Sequence, residues 1–257
     1  MHWHARHAPP LWKVNAARAA IVLAIGLSWE CAPNRVLDEL LWSRPSAIYF
    51  QTVTWLMDGT LLRNALATLK TVVTGMVIGG GAVGIAGGLL AGASRAVARL
   101  VIGPIEALFA LPKITLVPLF ILWMGIGALQ HIVFTALVVF FFFFFATFNG
   151  MRGIPAALTN TLALAGASRL QRITILYLPA SFGWIVIATR LALPYAFVAA
   201  VSTEVIASTS GLGHLVKGSS SIMNSAGMFS AMLALLLVSL GASYLANAAA
   251  AKSRWKL

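Results

Sequence analysis

The sequence predicts an all-α membrane protein with six transmembrane helices, and three observations lead there. Only 9% of the 257 residues are charged while 60% are hydrophobic, with mean hydropathy +0.91; a soluble domain usually carries about 25% charged residues. Apolar runs at 14–30, 68–92, 100–126, 130–148, 180–203 and 228–249 each approach the ~20 helical residues that a ~30 Å hydrocarbon core needs. The basic residues then gather on one side of that layout.

The tail 1–13 is basic and leads into the first run. No small-residue cleavage site follows, so it reads as a retained cytoplasmic tail rather than a secretory signal. His2, His4 and His7 read as solvated groups, and no metal site is expected. Cys31 is the only cysteine, which excludes an internal disulfide.

In the second run Gly80, Gly84, Gly88 and Gly92 recur every four residues, making a groove for a close helix contact. Gly79, Gly81 and Gly84 also match G-x-G-x-x-G, but a dinucleotide site needs a preceding strand in a βαβ unit. The third run holds Pro104, Pro112 and Pro118, each able to kink a helix. Lys113 follows Pro112, roughly 20 Å of helix beyond Arg99. It is a pathway candidate unless it snorkels to an interface. The fourth run contains six consecutive phenylalanines, Phe140 to Phe145, of which some are expected to meet lipid and some the bundle. Arg190 and Glu204 share the fifth, as an ion pair or as pathway lining. The sixth leads to a tail at 252–257.

Six spans place both ends on one side. Arg6, Lys13, Arg18, Arg95, Arg99, Arg152, Arg169, Arg172, Lys252, Arg254 and Lys256 fall together there. Arg35, Arg44 and Lys217 lie opposite, diluted by Asp38, Glu39 and Asp58. The positive-inside rule makes both termini cytoplasmic and accounts for the net charge of +12 without nucleic acid. The permease domain is 14–251, with a cytoplasmic loop at about 150–179.

That loop has its own grammar. Pro155 suits the first position of a short helix running to about Leu164, and Gly166 is placed to end it in a left-handed conformation. Ser168 and Gln171 have capping-box spacing. Leu170, Ile173, Leu176 and Tyr177 give the next helix an apolar stripe, with Arg169 and Arg172 facing elsewhere. Pro179 pushes Leu178 out of the helical region and opens the fifth span. A rigid knob of two short helices, larger than a turn requires, reads as a contact for a cytoplasmic partner.

"LAGASRLQRITILYLPASFGWI" resembles the cytoplasmic signature loop of the permease subunits of bacterial ABC importers. Gly166, Ala167, Ser168, Arg169, Leu178 and Pro179 match. The family's Glu-Ala-Ala is replaced by Asn160, Thr161 and Leu162, so the glutamate's charge is absent. "ALPKITLVPLFILWMGIG", which contains Trp123, and "RLALPYAFVAAVSTEVIASTSGLGHLV" are similar to the nitrate/sulfonate/taurine branch. The resemblance covers roughly 60–250. It implies the type I ABC importer permease fold in a bacterial inner membrane. It also implies a second copy of the chain, two ATP-binding cassette subunits carrying the ATP and Mg, and a periplasmic substrate-binding protein. This chain is expected to need no cofactor of its own. Asn160 through Leu162, Gly166 through Arg169, Gln171, Leu178 and Pro179 then form the ATPase-coupling loop; Lys113, Trp123, Arg190 and Glu204 are the pathway candidates.

The branch's substrates are small anions such as sulfonates, nitrate, taurine and aromatic carboxylates, or neutral vitamin precursors. The basic bias of Lys113, Arg190 and Lys217 favours an anion. An ion-coupled secondary transporter needs intramembrane carboxylates, for which Glu106 and Glu204 are the candidates. A membrane enzyme needs a nucleophile with its base, and no G-x-S-x-G, H-E-x-x-H or phosphate-binding loop occurs.

Overall fold

The computed structural model describes residues 11–31 and 42–252. The expectations for His2, His4, His7, Arg6, Arg254 and Lys256, and for Arg35, Asp38 and Glu39, fall outside those residues.

Every regular element among the described residues is helical. Five helices are long and apolar enough to cross a membrane, or six when one bent pair counts as a single span. The first is α1 (Leu11–Cys31). It stands mostly exposed at the edge, held at its end where the Trp29 Nε1–H donates to the Ser43 carbonyl at 3.0 Å. Next comes α2 (Pro45–Met57), which at 13 residues is too short to span and has no counterpart in the run-by-run reading.

After a turn at Asp58 and Gly59, α3 (Thr60–Gly75), a π-helical stretch at Met76–Gly84 and α4 (Ile85–Ala93) form one continuous span. It begins at Thr60, earlier than the 68 expected. Its glycine row works as the spacing requires. A Cβ on Gly79 would overlap the Ala136 backbone, and one on Gly88 would lie 2.7 Å from the Phe144 carbonyl oxygen. The missing side chains let the backbone of α7 (Ala128–Arg152) settle into the groove.

Helix α7 is the centre of the molecule. On an adjoining face, shared at Phe143, it meets α10 (Leu178–Ile206). There Ala188, Ala192, Ala196 and Ala200 form a second small-residue row, packed with Val139 and Phe143. The phenylalanines divide as the sequence suggests: Phe141, Phe143 and Phe144 are buried in the bundle, and Phe140, Phe142 and Phe145 are half-buried with part of each ring exposed.

The third run is broken rather than continuous. Helix α5 (Arg95–Ala110) and the segment from Lys113 through α6 (Val117–Met124) meet at 91°. Pro104 stays inside α5, and Pro118 lies in the first turn of α6, where its missing N–H has no helical partner anyway. The break is at Leu111–Pro112, both extended. The chain ends with α11 (Leu212–Ser221) and α12 (Ser225–Lys252).

Candidate functional site

The loop between α7 and α10 folds from local signals. Between α7 and α10 lie α8 (Ala156–Leu164), α9 (Arg169–Arg172) and a π-helical turn at Ile173–Tyr177. Pro155 sits one place earlier than expected, as the cap of α8 with ψ 134°. Gly166 has φ +76°. Its N–H donates to the Ala163 carbonyl at 3.1 Å and that of Ala167 to Leu162 at 3.0 Å, the two bonds of a Schellman ending. The capping box closes in both directions: Ser168 N–H donates to Gln171 Oε1 at 2.7 Å, and Gln171 N–H to Ser168 Oγ at 3.2 Å.

Two expectations for the loop are corrected. Leu178 is helical at φ −65°, ψ −48°, so α9 continues through the π-turn into α10 instead of stopping before Pro179. The wider π-turn takes up the proline ring and its missing N–H without a break. Arg172 does not point away; with Tyr177 it lines a cleft against Leu90 and Val97. The knob's outer surface carries Leu164 at 90% and Leu170 at 71% exposure, beside the exposed Asn160 and Thr161.

At the broken span Lys113 bends back on α5. Its ammonium donates to the Phe109 carbonyl at 2.6 Å and sits 4.4 Å from the Phe109 ring centroid and 5.0 Å from that of Phe141. The lysine thus satisfies a carbonyl released by the Pro112 break, and a cation suits a helix C-terminus. Trp123 on α6 is exposed beside Phe120. Arg190 lies near the middle of α10 on an exposed stripe with Leu191, Pro194, Tyr195 and Val198.

Arg190 and Glu204 do not pair. Fourteen residues separate them on one helix, roughly 21 Å. Glu204 is 1% exposed. Its Oε2 accepts from Thr68 Oγ1 and from the Gly213 N–H, both at 2.9 Å. Leu212 N–H donates to Thr68 Oγ1 and Gly211 N–H to Asn64 Oδ1, each at 2.8 Å. Three residues of α3 and α10 therefore cap the opening N–H groups of α11.

Beside that junction lies a cavity of about 200 Å³ lined by Lys70, Thr71, His131, Glu204, Ser208 and Ser210. His131 is 5% exposed, with Nδ1 unpartnered. Lys70 escaped the sequence reading, although a charge inside the run 68–92 was a signal. The structure brings Glu204 to this cavity, but not Lys113, Trp123 or Arg190.

Comparison with known proteins gives one consistent picture. Residues 84–254 match the family described as "Binding-protein-dependent transport system inner membrane component". The chain is 27% identical over 206 residues to the putative aliphatic sulfonates transport permease protein SsuC of Bacillus subtilis, covering 80% of this chain and 73% of that protein. It is 24% identical over 216 residues to the formylaminopyrimidine transport permease protein ThiX of Halalkalibacterium halodurans, covering 84% and 86%. Among solved structures, an inward-facing MetNI methionine ABC transporter chain shares the fold, with TM-score 0.62 at 19% identity, covering 77% of this chain and 96% of that one.

Proposed function

The chain belongs to the family of inner membrane components of binding-protein-dependent transport systems, and from that premise we propose that it passes a small anion of the sulfonate, nitrate, taurine or aromatic carboxylate class. It is an ABC importer permease, a transport subunit; ATP is hydrolysed on separate ATPase subunits. The observation that carries the coupling role is the uncovered apolar knob. Leu164 and Leu170 lie exposed on the loop between two spans, and apolar surface of that kind marks a protein contact. Because α9 runs unbroken into α10, a push on the knob by a closing ATPase reaches a 29-residue membrane helix as rigid-body motion.

The assembly proposed is a pair of these chains, two ATP-binding cassette subunits holding ATP and Mg, and a periplasmic binding protein, with both termini cytoplasmic. Arg190 supports the pair. A guanidinium facing lipid near mid-bilayer costs about 2.5–3.5 kcal/mol on insertion scales. The stripe around it therefore fits against a second copy or along a polar pathway, with the third to fifth spans toward the axis. Arg190 and Lys113 lower the cost of an anion's passage, and Lys70 supplies a basic group at the opposite end of the bundle from the knob.

A neutral vitamin precursor is the second reading, favoured by the pyrimidine in the name of the ThiX relative. An ion-coupled transporter is disfavoured because the Glu204 carboxylate is engaged in capping α11. The test is competition: with the transporter reconstituted beside its binding protein, uptake should be displaced by a sulfonate and not by an uncharged pyrimidine. The reverse order would replace the anion reading with the second one.

A further inference from the structure

At the knob end of the bundle, a cavity of about 770 Å³ opens between the last turn of α4, the first three turns of α5 and the last turn of α7. Its charged lining is Arg95, Arg99 and Arg152, with Glu106 as its one carboxylate. Among the described residues no carboxylate pairs with any of these guanidiniums. Arg152 rests on the Phe148 ring at 5.3 Å, which fixes its direction without neutralising it. The cavity's net formal charge is therefore +2. Arg95 and Glu106 are eleven residues apart on α5, so the cavity reaches roughly 16 Å inward from the membrane surface. Between the charged groups its lining is apolar, with Ala91, Ala98, Ile102 and Phe148.

We propose that this cavity seats the headgroup of an anionic phospholipid from the cytoplasmic leaflet. The inference rests on the membrane placement above but not on the transported substrate. Guanidiniums in a fork arrangement suit phosphate oxygens, and a basic pocket between spans on the cytoplasmic side is the setting in which anionic headgroups are held. The apolar lining distinguishes a lipid from free phosphate, because Ala98 and Ile102 offer surface to an acyl chain that a soluble anion cannot use. Glu106, at the inner end, opposes the charge and limits how deep the phosphate sits.

The experiment uses the transporter assembled with its ATPase in bilayers of phosphatidylcholine mixed with phosphatidylglycerol, with retained lipid read by native mass spectrometry. Phosphatidylglycerol should be retained in preference to phosphatidylcholine. Arg99→Gln and Arg152→Gln should each lower that preference by about fivefold, the equivalent of ~1 kcal/mol per basic group. Glu106→Gln should raise it, which keeps the test open if an arginine variant fails to fold. Arg63→Gln, which removes an exposed charge from the far end of the bundle, should leave it unchanged. Equal retention of the two lipids, displacement by inorganic phosphate alone, or arginine variants that lose the ATPase while keeping the lipid preference would each overturn the proposal.

Discussion

Glu204 on α10 and Thr68 on α3 are hydrogen-bonded at 2.9 Å across 136 residues of sequence, and the same carboxylate oxygen caps α11 through Gly213. This makes Glu204 a joint between three helices. Glu204→Ala strands a buried hydroxyl and a backbone N–H, which should cost roughly 1–3 kcal/mol. Glu204→Gln, which keeps one acceptor, should cost less. Thermal unfolding of the purified assembly in detergent checks the order. An alanine variant as stable as the parent would remove the joint and return Glu204 to the pathway candidates.

At Gly166 the backbone has φ +76°, and a non-glycine residue there is strained by about 1–2 kcal/mol. Gly166→Val should insert normally yet transport poorly, because the Schellman ending that orients α9 is lost. Membrane-fraction blots beside uptake assays separate the two effects. Full uptake by a correctly inserted variant would contradict the knob's role.

The glycine groove allows a paired comparison within a few residues. A Cβ on Gly88 meets the Phe144 carbonyl oxygen at 2.7 Å, whereas one on Gly81 meets nothing within 4 Å. Gly88→Val should abolish stable expression, since backbone cannot move aside as a flexible side chain would. Gly81→Val should be nearly silent. Expression and gel-filtration profiles of the two variants decide the matter, and equal behaviour would mean α7 does not sit in this groove.

Lys113 and Arg190 should also differ. The Lys113 ammonium holds the Phe109 carbonyl, so Lys113→Met should lower stability by about 1.5–3 kcal/mol as well as slow uptake. Arg190 has no hydrogen-bond partner among the described residues, so Arg190→Met should slow anion uptake with little loss of stability. Melting curves and initial rates measured on the same preparations test the split. Native rates in both variants would end the electrostatic argument for an anion.

Legibility in the sequence followed the range of the interactions. Gly166, Ser168 and Gln171 were readable because their partners lie within five residues, and the glycine row because its period is that of the helix. Helix α11 was not, since its caps, Asn64, Thr68 and Glu204, come from distant elements. Helix α2 was too short to register as a span. The three prolines of the third run flagged a break without placing it. Only the backbone shows that Pro104 and Pro118 are accommodated while Leu111–Pro112 turns the chain. Pro179 misled for the opposite reason: a π-turn absorbed what the general rule treats as a stop. Of the pathway candidates, Lys113 stood out as a charge inside an apolar run, but its carbonyl partner depended on that same break.

The most direct test of the central account is uptake into liposomes holding this chain with its ATPase and binding protein, measured with ATP inside and with proton and sodium gradients collapsed. The account predicts uptake that requires ATP, is indifferent to the gradients, and falls in Gly166→Val while the ATPase stays bound. Uptake that proceeds without ATP and disappears with the gradients would contradict it.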